Sequence, residues 1–242
     1  MRAIRTITVG ITPAFALIAV LLAGCGSQPA NPGAAPPVSS SPSAPATPTT
    51  PTTGPSTPAP TNVVSSRVAY PWHWPNDLTA PGHVTHSYAV PPVPELVSIS
   101  VGNHPAAAGQ HPFNRMSFTF TTAFPSYRFE FANQLVSDGS GKVIPLRGQS
   151  VLKIVFNQAQ SHTADGTQST ITSQPARYIG YQRMADFAQA GDFEGVLSYG
   201  IGITQPVLHS NPQFPVRAYE LETVTATGQH RYVIAIDIDA SA

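Results

Sequence analysis

The sequence predicts an all-β protein, in which a single β-sandwich domain follows a signal peptide and a disordered linker. From Glu95 to Ala242, short runs of alternating apolar and polar residues recur with the period of two that a half-buried strand requires. Turn residues separate these runs, and no segment carries a long helical period. About 145 residues in seven or more strands are enough to bury one core between two sheets.

Seven runs are predicted to be strands because apolar side chains alternate or cluster along them. They are residues 96–101, 115–122, 127–131, 151–157, 195–203, 216–223 and 231–239. In the last run, Tyr232, Ile234, Ile236 and Ile238 share one face. Turns are predicted at 138–141, 165–166 and 227–228, where glycine follows Asp or Thr. Residues 184–190 are predicted to form a short helix.

The N-terminus has the features of an export signal with a site for lipid attachment. Two arginines precede a 16-residue apolar stretch, 7–22, which is shorter than the roughly 20 residues of a membrane-spanning helix. The stretch runs into Ala23-Gly24-Cys25, which resembles the lipobox of bacterial lipoproteins. The resemblance implies cleavage before Cys25, acylation of Cys25 with chains such as palmitate, and anchoring at the extracytoplasmic face of the cell membrane. The alternative is an ordinary signal peptide that leaves a free thiol.

A long polar segment follows the predicted lipidation site. Residues 26–66 contain no Lys, Arg, Asp or Glu and consist mainly of Pro, Ser, Thr and Ala. Such a composition has too few apolar side chains to offset the entropy of ordering, so residues 25–66 are predicted to be a disordered tether. Residues 67–94 form a Pro-rich arm that holds both tryptophans, Trp72 and Trp74. The arm either packs on the following domain or presents its aromatic rings to a ligand.

Composition and motifs argue against several functions. Only 10% of residues are charged and the formal net charge is zero, so there is no basic stripe for nucleic acid. The single cysteine is assigned to lipid, and the Gly-x-Ser-x-Gly and His-Glu-x-x-His motifs are absent. We therefore predict a protein that is not an enzyme and needs no metal or cofactor. Two acid pairs, Asp192 with Glu194 and Asp237 with Asp239, leave a hydrolase as an alternative, although such spacing is typical of solvated or turn-capping groups.

The order of several short blocks resembles the AMIN-like domain of actinobacterial lipoproteins. The blocks are residues 96–104, 113–120, 125–131, 137–141, 145–148, 151–154, 191–203 and 231–239. The most specific block is GDFEGVLSYGIGI at 191–203, and one departure is Asn114, where the family pattern leads us to expect an acidic residue. The resemblance implies a β-sandwich related to AMIN modules, which bind peptidoglycan or localise envelope machinery and carry no catalytic residues.

The sequence thus divides into a lipoprotein signal peptide (1–24), a lipidated tether (25–66), an arm (67–94) and an AMIN-like sandwich (95–242). The function expected is that of a non-enzymatic, lipid-anchored envelope protein whose AMIN-like domain binds or localises to peptidoglycan or the cell wall. An adaptor that docks on another envelope protein through a sheet edge is the alternative. Aromatic faces bind glycans and arginines bind the carboxylates of peptide stems. The candidate ligand-binding residues are therefore Tyr127, Arg128, Phe193, Tyr199 and Arg217.

Overall fold

The computed structural model describes residues 62–205 and 213–241. The predicted signal peptide, the lipidation at Cys25 and the predicted tether up to residue 61 lie outside the described residues. The described residues form twelve β-strands and contain no helix. The strands are β1 (Asn62–His73), β2 (His83–Val84), β3 (Leu96–His104), β4 (Phe113–Phe120), β5 (Ser126–Ala132), β6 (Leu135–Val136), β7 (Val143–Ile144), β8 (Ser150–Asn157), β9 (Met184–Phe193), β10 (Val196–Ile203), β11 (Val216–Val224) and β12 (His230–Asp239).

Two five-stranded antiparallel sheets make up the predicted β-sandwich, which is confirmed. Sheet I has the strand order β1-β11-β12-β4-β3, and sheet II has the order β2-β5-β8-β10-β9. The short strands β6 and β7 pair separately as a hairpin. The described residues contain no helix that is long and apolar enough to cross a membrane.

The core lies between the two sheets and is rich in aromatic rings. Inward-facing residues alternate along each strand, so β4 and β5 bury every second side chain. The ring of Phe118 on sheet I lies 4.9 Å from that of Phe156 on sheet II, and Phe120 lies 5.0 Å from Phe156. These edge-to-face contacts bridge the sheets directly.

Sheet II is buried on its outer face as well, over part of its width. The β6–β7 hairpin packs there, and Leu135 forms a small second core with Val151 and Ala190. Strand β10 makes room for this layer with two glycines. A Cβ atom at Gly202 would lie 1.9 Å from the carbonyl oxygen of Arg147, and one at Gly200 would lie 2.6 Å from the Leu135 side chain.

The predicted helix at residues 184–190 is wrong, because these residues begin strand β9. Met184 and Phe187 have helical spacing, but the segment pairs with β10 from Met184↔Ile203 to Phe193↔Val196. A two-residue turn joins the strands, so pairing with β10 is local and overrides the weak helical propensity.

Strand β1 carries the sandwich further toward the N-terminus than the sequence predicts. It contains residues 62–66, which the sequence assigns to the tether, and 67–73, which it assigns to the arm. The strand pairs with β11 from Asn62↔Val224 to His73↔Val216. Most of its side chains are exposed, so backbone hydrogen bonds rather than an apolar face hold it, and no alternation marks it in the sequence.

Candidate functional site

The outer face of sheet II carries an open groove of about 610 Å³ beside the β6–β7 hairpin. Arg128 on β5, Lys153 and Val155 on β8, and the β9–β10 turn line it. The strand register places Arg128 opposite Val155, which in turn lies opposite Ser198. The groove therefore crosses the sheet from β5 to the β9–β10 turn, over the part that the hairpin leaves open.

Phe193 stands at the turn end of the groove. Its side chain is 73% exposed, and the two turn residues that follow, Glu194 and Gly195, have φ angles of 51° and 74°. Two positive φ values are typical of a type I′ turn, which matches the twist of a hairpin and favours Asn or Gly at its first position. The backbone amide of Ala159 donates to the carbonyl oxygen of Gly195 at 3.0 Å. The hydrogen-bonded turn therefore keeps the aromatic ring of Phe193 exposed to solvent.

The tip of the β6–β7 hairpin is fastened to the sheet at the edge of the groove. Asp138 accepts a hydrogen bond from the Lys153 ammonium at 2.9 Å and another from the Ser198 hydroxyl. Burial raises the pKa of Asp138, but the hydrogen bonds from Ser198 and Lys153 outweigh burial and hold the pKa below its ordinary value. Asp138 is therefore ionised at neutral pH and neutralises Lys153.

Two charged groups of the groove form no hydrogen bond or ion pair with the described residues, although Arg128 interacts electrostatically with Asp138. In the described part of the chain, Arg128 and Glu194 are both exposed, and neither side chain forms a hydrogen bond or an ion pair. They stand on β5 and at the β9–β10 turn, at opposite ends of the groove. Of the candidates predicted from sequence, the structure thus brings Arg128 and Phe193 into one site.

Tyr127 and Tyr199 lie in the core instead. Tyr127 is 1% exposed and donates a hydrogen bond to Glu220 at 3.0 Å. Burial and the nearby Glu220 carboxylate raise the pKa of Tyr127. Tyr199 is 2% exposed, and its ring packs 5.4 Å from that of Phe118. Neither ring is accessible to a ligand at the surface.

Arg217 lies on the outer face of sheet I, away from the groove. It binds Asp237 with two nitrogens, at 2.9 and 2.6 Å, and Arg115 binds the same carboxylate at 2.6 and 2.9 Å. These hydrogen bonds to Asp237 raise the pKa of Arg115. The ring of Trp72 lies 4.8 Å from the Arg217 guanidinium and stacks on His111 at 5.5 Å. This part of the predicted arm therefore packs on the domain.

The carboxylates of the two acid pairs have different surroundings. Asp237 is fully buried between two arginines, so the expectation of a solvated or turn-capping group is wrong for this residue. Asp192 accepts hydrogen bonds from the amide and hydroxyl of Ser161 at 3.0 and 2.7 Å. Glu194 points to solvent from the turn.

A buried carboxylate in the core is not predicted from the sequence. Glu220 is 1% exposed and binds Arg67 at 2.7 Å, His86 at 2.8 Å and Tyr127 at 3.0 Å. Burial raises the pKa of Glu220, but the hydrogen bonds from His86 and Arg67 outweigh it and lower the pKa. Because Arg67 belongs to β1 and His86 to the segment after β2, Glu220 ties the predicted arm to the sandwich.

Within residues 62–205 and 213–241, no three His, Cys, Asp or Glu side chains are grouped to hold a metal ion.

The fold and the groove define a β-sandwich domain with a polar and aromatic recess on one sheet. Residues 95–236, more than half of the chain, match the family model of the AMIN-like domain, and the chain belongs to this family. AMIN-like domains are non-catalytic binding domains associated with the cell wall. No curated protein and no solved structure matches the chain. Strands β1 and β2 lie before the matched region.

Proposed function

We propose that this protein is a lipid-anchored protein of the cell envelope whose AMIN-like domain binds peptidoglycan in the groove beside Phe193. The family supports a cell-wall role. The lipobox-like end of the apolar N-terminal stretch supports lipidation at Cys25, and the charge-free segment after it supports a spacer between membrane and domain.

The exposed Phe193 ring carries the argument for the groove. A scattered surface phenylalanine needs no explanation, but this ring stands on a turn anchored by Ala159 and borders a groove with an exposed guanidinium at its other end. A sugar face or a peptide stem that covers the ring would contribute on the order of 2 kcal/mol from apolar burial. The polar groups would then set the orientation of the ligand.

Sedimentation with purified peptidoglycan tests this proposal. The full-length protein in detergent is mixed with the insoluble polymer and the bound fraction is measured. We expect Phe193→Ser to lower the apparent affinity about thirtyfold, by loss of the roughly 2 kcal/mol of apolar contact. Leu78→Ser is the matched control, because Leu78 is 95% exposed and does not line the groove. Equal retention of the Phe193→Ser variant and the unchanged protein would exclude the ring from the site.

Lipid anchoring is tested separately. We expect incorporation of labelled palmitate and recovery of the protein in the membrane fraction of cells, and loss of both in a Cys25→Ala variant. Recovery of Cys25→Ala with membranes would show that another feature anchors the chain.

One observation favours the adaptor as a second candidate. Strand β1 is an edge of sheet I, and Val63, Val64 and Val68 on it are 63%, 53% and 50% exposed. An exposed edge strand offers backbone groups to an extended segment of another protein. A photo-crosslinker placed at Val64 in cells would capture a specific partner if this function holds, and the same probe at Leu78 is the control.

A further inference from the structure

We infer that the groove binds a short peptide portion of the polymer as a zwitterion, with a carboxylate against Arg128 and an ammonium group against Glu194. This inference rests on the proposed function and names the chemistry that the same site recognises.

Most of the charged side chains of the groove are engaged with other residues of the chain. Five charged side chains line it: Arg128, Asp138, Lys153, Asp192 and Glu194. Lys153 and Asp138 neutralise each other at 2.9 Å, and Asp192 is engaged by a serine. The groups left without a hydrogen bond or ion pair within the described residues are Glu194 and Arg128, and Arg128 also lies within electrostatic range of the Asp138 carboxylate. A ligand with a single type of charge would satisfy one of them and leave the other without a partner.

The distance between these two groups follows from the strand order of sheet II. Arg128 and Phe193 belong to β5 and β9, which are separated by β8 and β10. Three inter-strand spacings amount to roughly 14 Å. The register places Phe193 in line with Ser126, two residues along β5 from Arg128, which adds roughly 7 Å at right angles. The separation is therefore roughly 16 Å, and an extended peptide that advances about 3.4 Å per residue covers it with roughly five residues.

The surface between the two charges is partly apolar. Val196 is 38% exposed and Phe193 is 73% exposed, so the turn end of the groove has an apolar surface, whereas Val155 in the floor is 3% exposed. A peptide backbone with small side chains can cover this surface while its charged groups reach Arg128 and Glu194. Charge-assisted contacts at both ends also fix the direction of the ligand.

Glu194 itself supports a binding role. It occupies the first position of the turn with φ of 51°, where Asn or Gly would be more favourable for the backbone. The side chain is exposed and forms no hydrogen bond or ion pair within the described chain, so the pairing of β9 with β10 and the Ala159 amide hold the turn without any contribution from this side chain. An ion pair with an ammonium group of the ligand would account for a glutamate at this position.

Titration with a soluble muropeptide tests the inference. The probe is a disaccharide-tetrapeptide released from purified peptidoglycan, used unmodified, with its amine acetylated, or with its carboxylates amidated. Binding to the full-length protein in detergent is measured by calorimetry. We expect each modification to weaken binding about five- to tenfold. Arg128→Gln then removes the effect of amidation, and Glu194→Asn removes the effect of acetylation.

Two controls separate binding from folding. Glu194→Asn keeps or raises the thermal midpoint, because Asn suits the turn, while it weakens binding of the unmodified probe. Arg231→Gln removes a half-buried arginine of sheet I that does not line the groove and leaves binding unchanged. A lowered midpoint for Glu194→Asn together with unaltered binding would overturn the role of this carboxylate.

The outcomes distinguish this inference from the proposed function. Equal binding of the modified and unmodified probes, or equally tight binding of glycan strands stripped of peptide, would overturn the zwitterion inference and leave peptidoglycan binding intact. Failure of the unchanged protein to bind both the muropeptide and the intact polymer would overturn both.

Discussion

Replacing Asp237 by Asn is expected to destabilise the sandwich strongly without affecting peptidoglycan binding. The carboxylate is fully buried and receives four hydrogen bonds from the guanidinium groups of Arg115 and Arg217. Asparagine has the same shape, but it carries no charge and turns an amide donor toward two other donors. Two arginines are then left without a counter-charge on sheet I.

The size of the effect follows from the burial of the three groups. Removal of one partner from a buried ion pair costs about 3–5 kcal/mol. The side chains of Arg115 and Arg217 are 26% and 20% exposed, so water partly compensates and the lower end of that range applies. A loss of about 3 kcal/mol in the free energy of unfolding corresponds to a lowering of the thermal midpoint by about 9 °C in a domain of this size.

Urea denaturation followed by fluorescence measures this change, with retention on peptidoglycan measured on the same samples. Asp165→Asn is the control, because Asp165 is exposed and bonds only within its own turn. A loss below about 1 kcal/mol for Asp237→Asn would refute the argument that the pair is buried and tightly coupled. Loss of peptidoglycan binding at full stability would place this face, and not the groove, at the site.

Three further outcomes follow from features outside the groove. A chain shortened to residues 95–242 loses β1 with Arg67 and also loses His86. Glu220 is then buried with fewer hydrogen-bond partners. We therefore expect circular dichroism to show an unfolded or aggregated chain. Because the pKa of Glu220 is lowered on folding, its contribution to the free energy of unfolding is fully present above the ordinary pKa of 4.5. This contribution is lost as the pH drops through the lower pKa of the folded state. We expect Glu220→Gln to flatten this acid dependence in denaturation curves. Gly202→Ala forces a methyl group against the Arg147 carbonyl and costs about 1–3 kcal/mol in chemical denaturation.

Each of these outcomes has a matched control. The chain of residues 62–242 retains β1 and folds, whereas cooperative folding of 95–242 would show that β1 is dispensable. Glu130→Gln removes an exposed carboxylate and keeps the acid dependence; an unchanged acid dependence in Glu220→Gln would contradict the role of Glu220. Gly139→Ala meets no atom within 4 Å, and equal stability of the two glycine variants would argue against close packing of the hairpin.

The strands that bury one face could be predicted from the sequence. The runs predicted at 115–122 and 231–239 correspond to Phe113–Phe120 and His230–Asp239, because one side of each strand packs in the core and the other does not. Strand β1 could not be found this way, since only Tyr70 in it is buried. Its place in the sheet depends on pairing with β11, about 150 residues further along the chain.

The candidate site could be predicted only in part. Residue type singles out Phe193 and Arg128 individually, but only the strand register brings them to one groove. The sequence also predicts the turn at Asp138, whereas its contact with Lys153 and Ser198 depends on how the hairpin folds over the sheet. The alternating glycines of β10 are the sequence signal for that layer, because glycine in a strand often marks a close approach of another backbone.

The position of β1 also has a mechanical consequence. Any tension that enters the domain from the preceding residues arrives at Asn62, the first residue of a strand paired with β11 over eight residue pairs. Tension along the strand axis acts on all of these hydrogen bonds together, in shear, and the Arg67–Glu220 ion pair adds a side-chain restraint partway along. Tension across the sheet acts on one bond at a time and peels β1 away from its N-terminal end. The direction of the load, and not only its size, therefore decides how long the domain stays folded.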